Sequence, residues 1–450
     1  MTSLTSEHHH PLKILFLAAE CAPFFKVGGL ADVVGSLPQA LHELGHDVRV
    51  IMPRYRPIDG AQYGLRRMEG FANVPTADMD RVSEVEVSDA KGLPTYFVWD
   101  ERFFGRDTVY GQPDEALAFV FFCRAAMEFV RSMDWQPDAI HCHDWHTGAA
   151  LMMLELNRDQ RFNSIARVFT IHNLVYQGVT GDAIFRFAGF DGHIDRVLGE
   201  QAGTANWMAR GIAHADMINT VSPTYAAEIR TPDYGAGLDG LLRARTGHVV
   251  GILNGIDRSE WNPATDAALT SKFDATSIRR RSSNKKVVQE TLGLKVNARV
   301  PLIGLVTRLA EQKGVDILIA AGERLLERNV QLAILGSGDE RYQTAIDQLR
   351  DRYPDQVGVE HRFNDRLARL IYGGSDMFLM PSRYEPCGLG QMIAMRYGSL
   401  PIVRATGGLK DSVLDAGRYP KRGTGFSFEP YSPEGLIGAV DRAIKVFANT

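Results

Sequence analysis

The feature that most constrains this chain is a short pattern that occurs twice. Gly28-Gly29-Leu30-x-Asp32-x-Val34 returns as Gly407-Gly408-Leu409-x-Asp411-x-Val413, each time after an apolar run and at the start of a helical pattern. A strand, a glycine turn and a helix N-terminus in succession gather backbone N–H groups and a positive dipole end at one point. Gly28 and Gly29 let a ligand approach the backbone closely, and Lys26 adds a mobile cation beside them. That arrangement suits a phosphate. The plainer alternative is a βα loop with two turn glycines and a surface lysine. Two copies far apart imply two doubly wound α/β domains facing ligands across a shared cleft, at the carboxyl ends of their strands.

The segments between the copies support that fold class. Strand patterns at Lys13–Ala18, Asp47–Pro53, Asp138–His141, Ala166–Ile171 and His214–Val221 alternate with helical patterns at Leu30–Glu43 and Glu115–Met133. The second half repeats the logic, with strands at Val300–Val306, Gln331–Leu335, Met377–Met380 and Pro401–Val403 and a helix at Gly314–Arg328. Apolar strands alternating with helices make parallel sheets covered on both faces. Between the halves, Gly247–Pro263 is rich in Gly, Asn and Pro and marks the junction. The expected organisation is a disordered tail at 1–10, a first Rossmann-like domain at 11–250 and a second at 251–450. The basic run Arg279–Lys286 is expected to be a solvated helix start.

A chain of 450 residues is too long for one core, which agrees with two domains. A formal charge of −4 argues against a nucleic-acid surface or a polybasic membrane patch, so anionic ligands depend on local Lys and Arg clusters. No apolar run is long enough to span a bilayer, and Lys13–Ala18 is a first strand, not a secretory segment. Cys21, Cys123, Cys142 and Cys387 lack paired spacing and imply reduced thiols in a cytoplasmic setting.

Several stretches could carry chemistry. His141-Cys142-His143-Asp144-Trp145-His146 offers metal-ligating side chains, but neighbours on a strand point to opposite faces, which argues against zinc. Asp144 at a strand end, presented to a cleft among packed histidines, is the better reading. His172 also falls at a strand end, as a structural hydrogen-bonder or a ligand contact. Asn254-Gly255 reads as a turn or a contact. Arg308 and Lys313 flank a strand-to-helix loop, where both could reach one diphosphate or remain solvated cations. Glu385, in Ser-Arg-Tyr-Glu-Pro-Cys-Gly-Leu-Gly-Gln, could accept from sugar hydroxyls; its alternative is a helix N-terminal acid meeting the dipole.

Taken together, these segments make the chain resemble the bacterial glycogen and starch synthase family, glycosyltransferases of GT-B architecture. K-V-G-G-L-A-D-V-V-G-S-L-P, H-D-W-H-T-G, T-I-H-N-L-V-Y-Q-G, T-V-S-P-T-Y-A-x-E-I, Y-G-x-G-L-D-G-L-L, G-I-L-N-G-I-D, S-R-Y-E-P-C-G-L-G-Q-M and T-G-G-L-x-D occur in order along nearly the whole chain. The resemblance implies retaining transfer of glucose from ADP-glucose to the non-reducing 4-hydroxyl of an α-1,4-glucan such as glycogen, with no metal or cofactor. It implies that Lys26, with Gly28 and Gly29, lies by the donor diphosphate and that Arg308 and Lys313 neutralise the leaving group. Asp144, His172 and Asn254 would line the glucose pocket, and Glu385 would bind sugar hydroxyls. Asp32, Tyr384, Cys387, Gly388, Leu389, Thr406 and Gly407 would contact substrate. Phe363 would stack on the adenine, its alternative being an ordinary core residue. The leaving phosphate would help deprotonate the incoming hydroxyl on the same face; a Glu385 nucleophile is the alternative. A glucan- or nucleotide-binding protein without turnover, and a UDP-glucose-using transferase, are the competing readings.

Three departures stand out. The wider sugar-nucleotide transferase pattern has a second glutamate eight residues after the first, where this chain has Ile393. Ala118 stands where related synthases often have an arginine before Phe119. Relatives continue past the position of Thr450 through an F-S-W segment and a crossover helix, so a weakened domain closure is expected.

Overall fold

The structure, a computed structural model, describes residues 10–68, 72–75, 80–156, 159–190 and 194–448. The tail expected to be disordered lies outside the described residues except for His10. Two compact units emerge: 1–221 with 226–252, and 222–225 with 253–450.

In the first unit, seven parallel strands form the body of a ten-stranded sheet. Lys13–Leu17 lies between Asp47–Pro53 on one side and Ala139–His143 on the other, and Ala166–Ile171, Met217–Thr220 and Val249–Gly251 follow beyond the latter. Past Asp47–Pro53 come Thr95–Trp99 and an antiparallel edge led by Asp80–Ser88. The chain therefore winds both ways from its first strand, and in doubly wound sheets the point where the direction reverses is where ligand crevices lie. Helices Gly29–Glu43, Glu115–Ser132, Gly148–Leu156 and Trp207–His214 cover the sheet. Gly148 and Gly211 permit close contact here: a Cβ on Gly148 would sit 2.0 Å from the Trp207 carbonyl oxygen, and one on Gly211 2.4 Å from the Phe169 ring.

The second unit holds a six-stranded, all-parallel sheet. Its order is Val357–Glu360, Gln331–Leu335, Leu302–Val306, Met377–Met380, Leu400–Arg404, Phe426–Phe428. The switch point falls between Leu302–Val306 and Met377–Met380, whose following loops carry Arg308 with Lys313 and Ser382 with Glu385. Leu305, Leu318, Leu325, Ile334, Ile402 and Val440 belong to one core that joins sheet and helices. Among the described residues no helix is long and apolar enough to cross a membrane.

Three expectations need correction. The strand expected at Asp138–His141 runs on to His143, because it pairs residue by residue with Ala166–Thr170. His214 closes a helix, and the strand after it begins only at Met217. The basic run Arg279–Lys286 is not wholly solvated. Lys285 is buried, pairs with Asp376 at 2.7 Å and donates to the carbonyls of Ala298 and Val300. The cost of burying an ammonium is offset when its donors are met in this way.

Candidate active site

The glycine turn of the first unit is held from inside by a residue the sequence does not single out. Glu20, buried just beyond the first strand, accepts from the N–H groups of Val27 and Gly28 at 2.7 and 2.9 Å through Oε2. Its Oε1 accepts from the Tyr110 hydroxyl at 2.5 Å. The expected cradle of free amides is thus narrower: two N–H groups are committed to Glu20, leaving those of Gly29 and Leu30, which helix geometry leaves without intrahelical acceptors. Gly28 has ordinary extended backbone, and a Cβ on it would meet nothing within 4 Å. The room beside it is open for a ligand. Lys26 is exposed and pairs with Asp32 of the helix's first turn at 2.6 Å.

Asp144 and His172 are brought together. Asp144 follows the strand that ends at His143 and adopts φ 57°, ψ 179°, a region that non-glycine residues occupy only under constraint. Its own N–H donates to the Thr170 carbonyl at 2.9 Å, and its Oδ1 accepts from the N–H of His172 at 2.7 Å and of Asn173 at 3.3 Å. Burial pushes this carboxyl up to about 7; the two N–H donors pull against that, and the charge of Glu20 adds to it. His172 is half-buried, and burial followed by the nearby His141 lowers it to about 3, so it works as neutral imidazole. The remaining histidines are accounted for by packing. His141 Nε2 meets Thr170 Oγ1 at 2.6 Å and its ring stacks on His143, while His146 packs against Phe119 and Trp145. Among the described residues no three His, Cys, Asp or Glu side chains gather as a metal site.

In the second unit the loops at the switch point form an ionic cluster. Lys313 Nζ spans both oxygens of Glu385, at 2.9 and 2.7 Å, and Ser382 Oγ donates to Oε2 at 2.9 Å. The side chains of Lys313 and Glu385 are 17% and 8% exposed, enough shielding for the pair to matter. Glu385 lies in a loop ahead of helix Gly390–Arg396, so it is no first-turn acid of that helix. Arg308 is exposed and has no ion pair among the described residues. The two cations therefore do not stand alike: one is committed to a carboxylate, the other projects into solvent.

The residues around Glu385 hold its loop. Gly407 has φ 44°, and a Cβ there would lie 2.0 Å from the Glu385 carbonyl oxygen. Gly408 N–H donates to the carbonyls of Glu385 and Pro386, both at 3.1 Å. The second glycine pair is thus a packing device against Glu385, unlike Gly28 with its open surroundings. Thr406 is buried at the helix start. Cys387 is buried, its thiol pushed up to about 12 by burial, with the backbone N–H of Asn254 beside it. Tyr384, Gly388 and Leu389 are half-buried. Phe363 is 83% exposed, which overturns the core alternative for it.

Comparison with known proteins decides the family. Residues 13–244 match the family model for the starch synthase catalytic domain, and 293–446 that for glycosyl transferases group 1. Glycogen synthase of Geotalea daltonii is 43% identical over 446 residues, 97% of this chain and 92% of that protein. The chain belongs to the glycogen and starch synthase family. Glycogen synthase of Syntrophotalea carbinolica is 44% identical over 444 residues, 97% of this chain and 92% of that one. The catalytic domain of starch synthase IV from Arabidopsis thaliana, bound to ADP and acarbose, superposes with a TM-score of 0.92 at 35% identity. That match covers 98% of this chain and 93% of the other. A sucrose-phosphate synthase from Thermosynechococcus elongatus (TM-score 0.61, 19% identity; 98% of this chain, 92% of that one) shares the fold. As a family member the chain is a glycosyltransferase of the GT-B class, built from two Rossmann-like units.

Within this synthase framework the Lys313–Glu385 pair makes a stability prediction. Lys313→Ala strands a buried carboxylate and is expected to cost about 3 kcal/mol of stability. The double variant Lys313→Ala/Glu385→Gln is expected to recover most of that loss, since an amide keeps the Ser382 contact without a charge. Equal destabilisation in both variants, by denaturant unfolding, would show that the pairing is not what holds the loop.

Proposed function

We propose that the protein transfers glucose from ADP-glucose to the non-reducing 4-hydroxyl of an α-1,4-glucan such as glycogen, with retention, releasing ADP. The observation that carries this reading is the cluster at the second unit's switch point. A buried carboxylate with both oxygens engaged by Lys313 and Ser382 stands in the loop after Met377–Met380, and the loop after the neighbouring strand Leu302–Val306 bears Arg308. Family membership and the ADP found with the Arabidopsis relative point to the donor class.

In the proposed step the bond between the anomeric carbon and the diphosphate oxygen breaks. The acceptor oxygen bonds to the same carbon on the same face, and its proton passes to the departing phosphate. Lys26, Arg308 and Lys313 meet the developing negative charge, the expected main source of rate. No metal or cofactor enters the proposal. Asp144, His172, Asn254 and Glu385 bind glucose hydroxyls, and the exposed Phe363 stacks on adenine. A carboxylate whose two oxygens are held by an ammonium and a hydroxyl is a poor nucleophile, which favours the same-face route over a Glu385 adduct. The four buried free thiols suit the proposed cytoplasmic setting.

The test is incorporation of labelled glucose into glycogen from ADP-glucose and, in parallel, from UDP-glucose. Incorporation from ADP-glucose exceeding that from UDP-glucose by at least about tenfold is expected. The reverse preference would reassign the donor. Donor binding without incorporation from either nucleotide would make this a binding protein.

A further inference from the structure

The Asp144 neighbourhood contains a contact that the proposed reaction does not use. His143 Nδ1 lies 2.9 Å from His172 Nε2. Both nitrogens belong to neutral rings, so one proton sits between them, and its owner decides the tautomer of each ring.

His143 is fully buried, its ring stacked on Phe16 and His141, with centroids 5.3 and 4.3 Å away. Its far nitrogen, Nε2, is buried and has no hydrogen-bond partner among the described residues. Two arrangements are open. If His143 carried its proton on Nε2, a buried N–H would be left without an acceptor. With the proton on Nδ1, only a lone pair goes unused, and Nδ1–H donates to His172. Orphaned buried N–H groups are rarer than under-used acceptors, so the second arrangement is favoured. A charged ring is a third possibility, and burial disfavours it at both positions.

We propose that His143 is a positioning residue that donates to His172 Nε2 and so fixes the proton of His172 on Nδ1. His172 Nδ1 has no hydrogen-bond partner among the described residues, and the ring is half-buried. His172 consequently meets its ligand as a hydrogen-bond donor directed at a sugar oxygen. This last step rests on the proposed glucose-transfer reaction; the tautomer does not. The backbone N–H of the same residue is held by Asp144, so ring and main chain are both anchored.

The test reads the tautomer directly, from ¹⁵N imidazole spectra of the full chain, with the His172 signal identified by its loss in His172→Gln. Wild-type protein is expected to show a protonated Nδ1 and a bare Nε2 at His172. His143→Phe keeps an aromatic ring against His141 and Phe16 but removes the donor. It is expected to release His172 towards Nε2–H and to lower kcat/KM for ADP-glucose about tenfold. His143→Asn places an amide nitrogen where Nδ1 was, and is expected to restore both the tautomer and kcat/KM to within about threefold of wild type. A wild-type His172 protonated on Nε2 overturns the proposal, even if no variant folds. So does an unchanged His172 tautomer in His143→Phe. If wild-type protein transfers no glucose yet shows the Nδ1–H tautomer, the reaction is misassigned and the His143 contact stands.

Discussion

Glu385→Ala and Lys26→Ala are each expected to lower glucose transfer from ADP-glucose at least about a hundredfold, the scale of one lost transition-state contact. The two losses should differ in kind. Lys26 is exposed and, among the described residues, pairs with Asp32 alone, so its removal should change stability by no more than about 1 kcal/mol. A fall in activity there is a loss of charge stabilisation alone. Glu385→Ala leaves the Lys313 ammonium without its carboxylate, so part of its effect should appear as lowered stability. Assays with ADP-glucose and glycogen, with unfolding curves alongside, separate the components. Near-normal rates in both variants would mean that the site has been misplaced.

A second large effect is expected at Asp144. Its carboxyl, ordinarily near 3.8, is pushed to about 7, first by burial. A folded state that holds its proton more tightly than the unfolded chain loses stability as pH rises between those two values. That gap corresponds to roughly 4 kcal/mol, fully absent below about pH 4 and fully present above about pH 7. Asp144→Asn does not titrate, and its amide oxygen still accepts from His172 and Asn173. The variant should match wild type near pH 4 and exceed it in stability at pH 8, while losing activity if the proposed contact of the carboxylate with the sugar holds. Unfolding measured from pH 4 to 8 checks this. A stability difference independent of pH would show that strain at Asp144, with its φ of 57°, outweighs desolvation.

Much of the fold was legible in the chain. Periodicity placed Asp47–Pro53, Ala166–Ile171, Gln331–Leu335 and Met377–Met380 at their observed bounds. Each of these strands has a parallel neighbour on both sides, so apolar residues dominate it and polar ones gather at its ends. The end of the strand at His143 was not legible, since polar histidines look like loop residues. Pairing with Thr170 keeps them in the sheet and puts His141 and His143 on one face. The Asp144–His172 contact follows from that extension, because only adjacent strand ends bring the two together.

The twin glycine patterns show where local reading stops. Each announces a strand, a turn and a helix, and each occurs as such. Their roles diverge because their surroundings differ: Gly28 faces open space, whereas Gly407 and Gly408 press against the carbonyls of Glu385 and Cys387. Glu20 was visible as an acid beyond the first strand, but its donors come from a turn that folds back over it.

By itself, the sequence determined the α/β class, the strand-and-helix order and the family, since these depend on patterns written along the chain. Tertiary structure decided which N–H groups of the glycine turn are spent, which cation is paired, and where Asp144 and the histidines meet. Those outcomes depend on burial and on contacts between distant segments. Neighbouring residues along the chain carry no record of either.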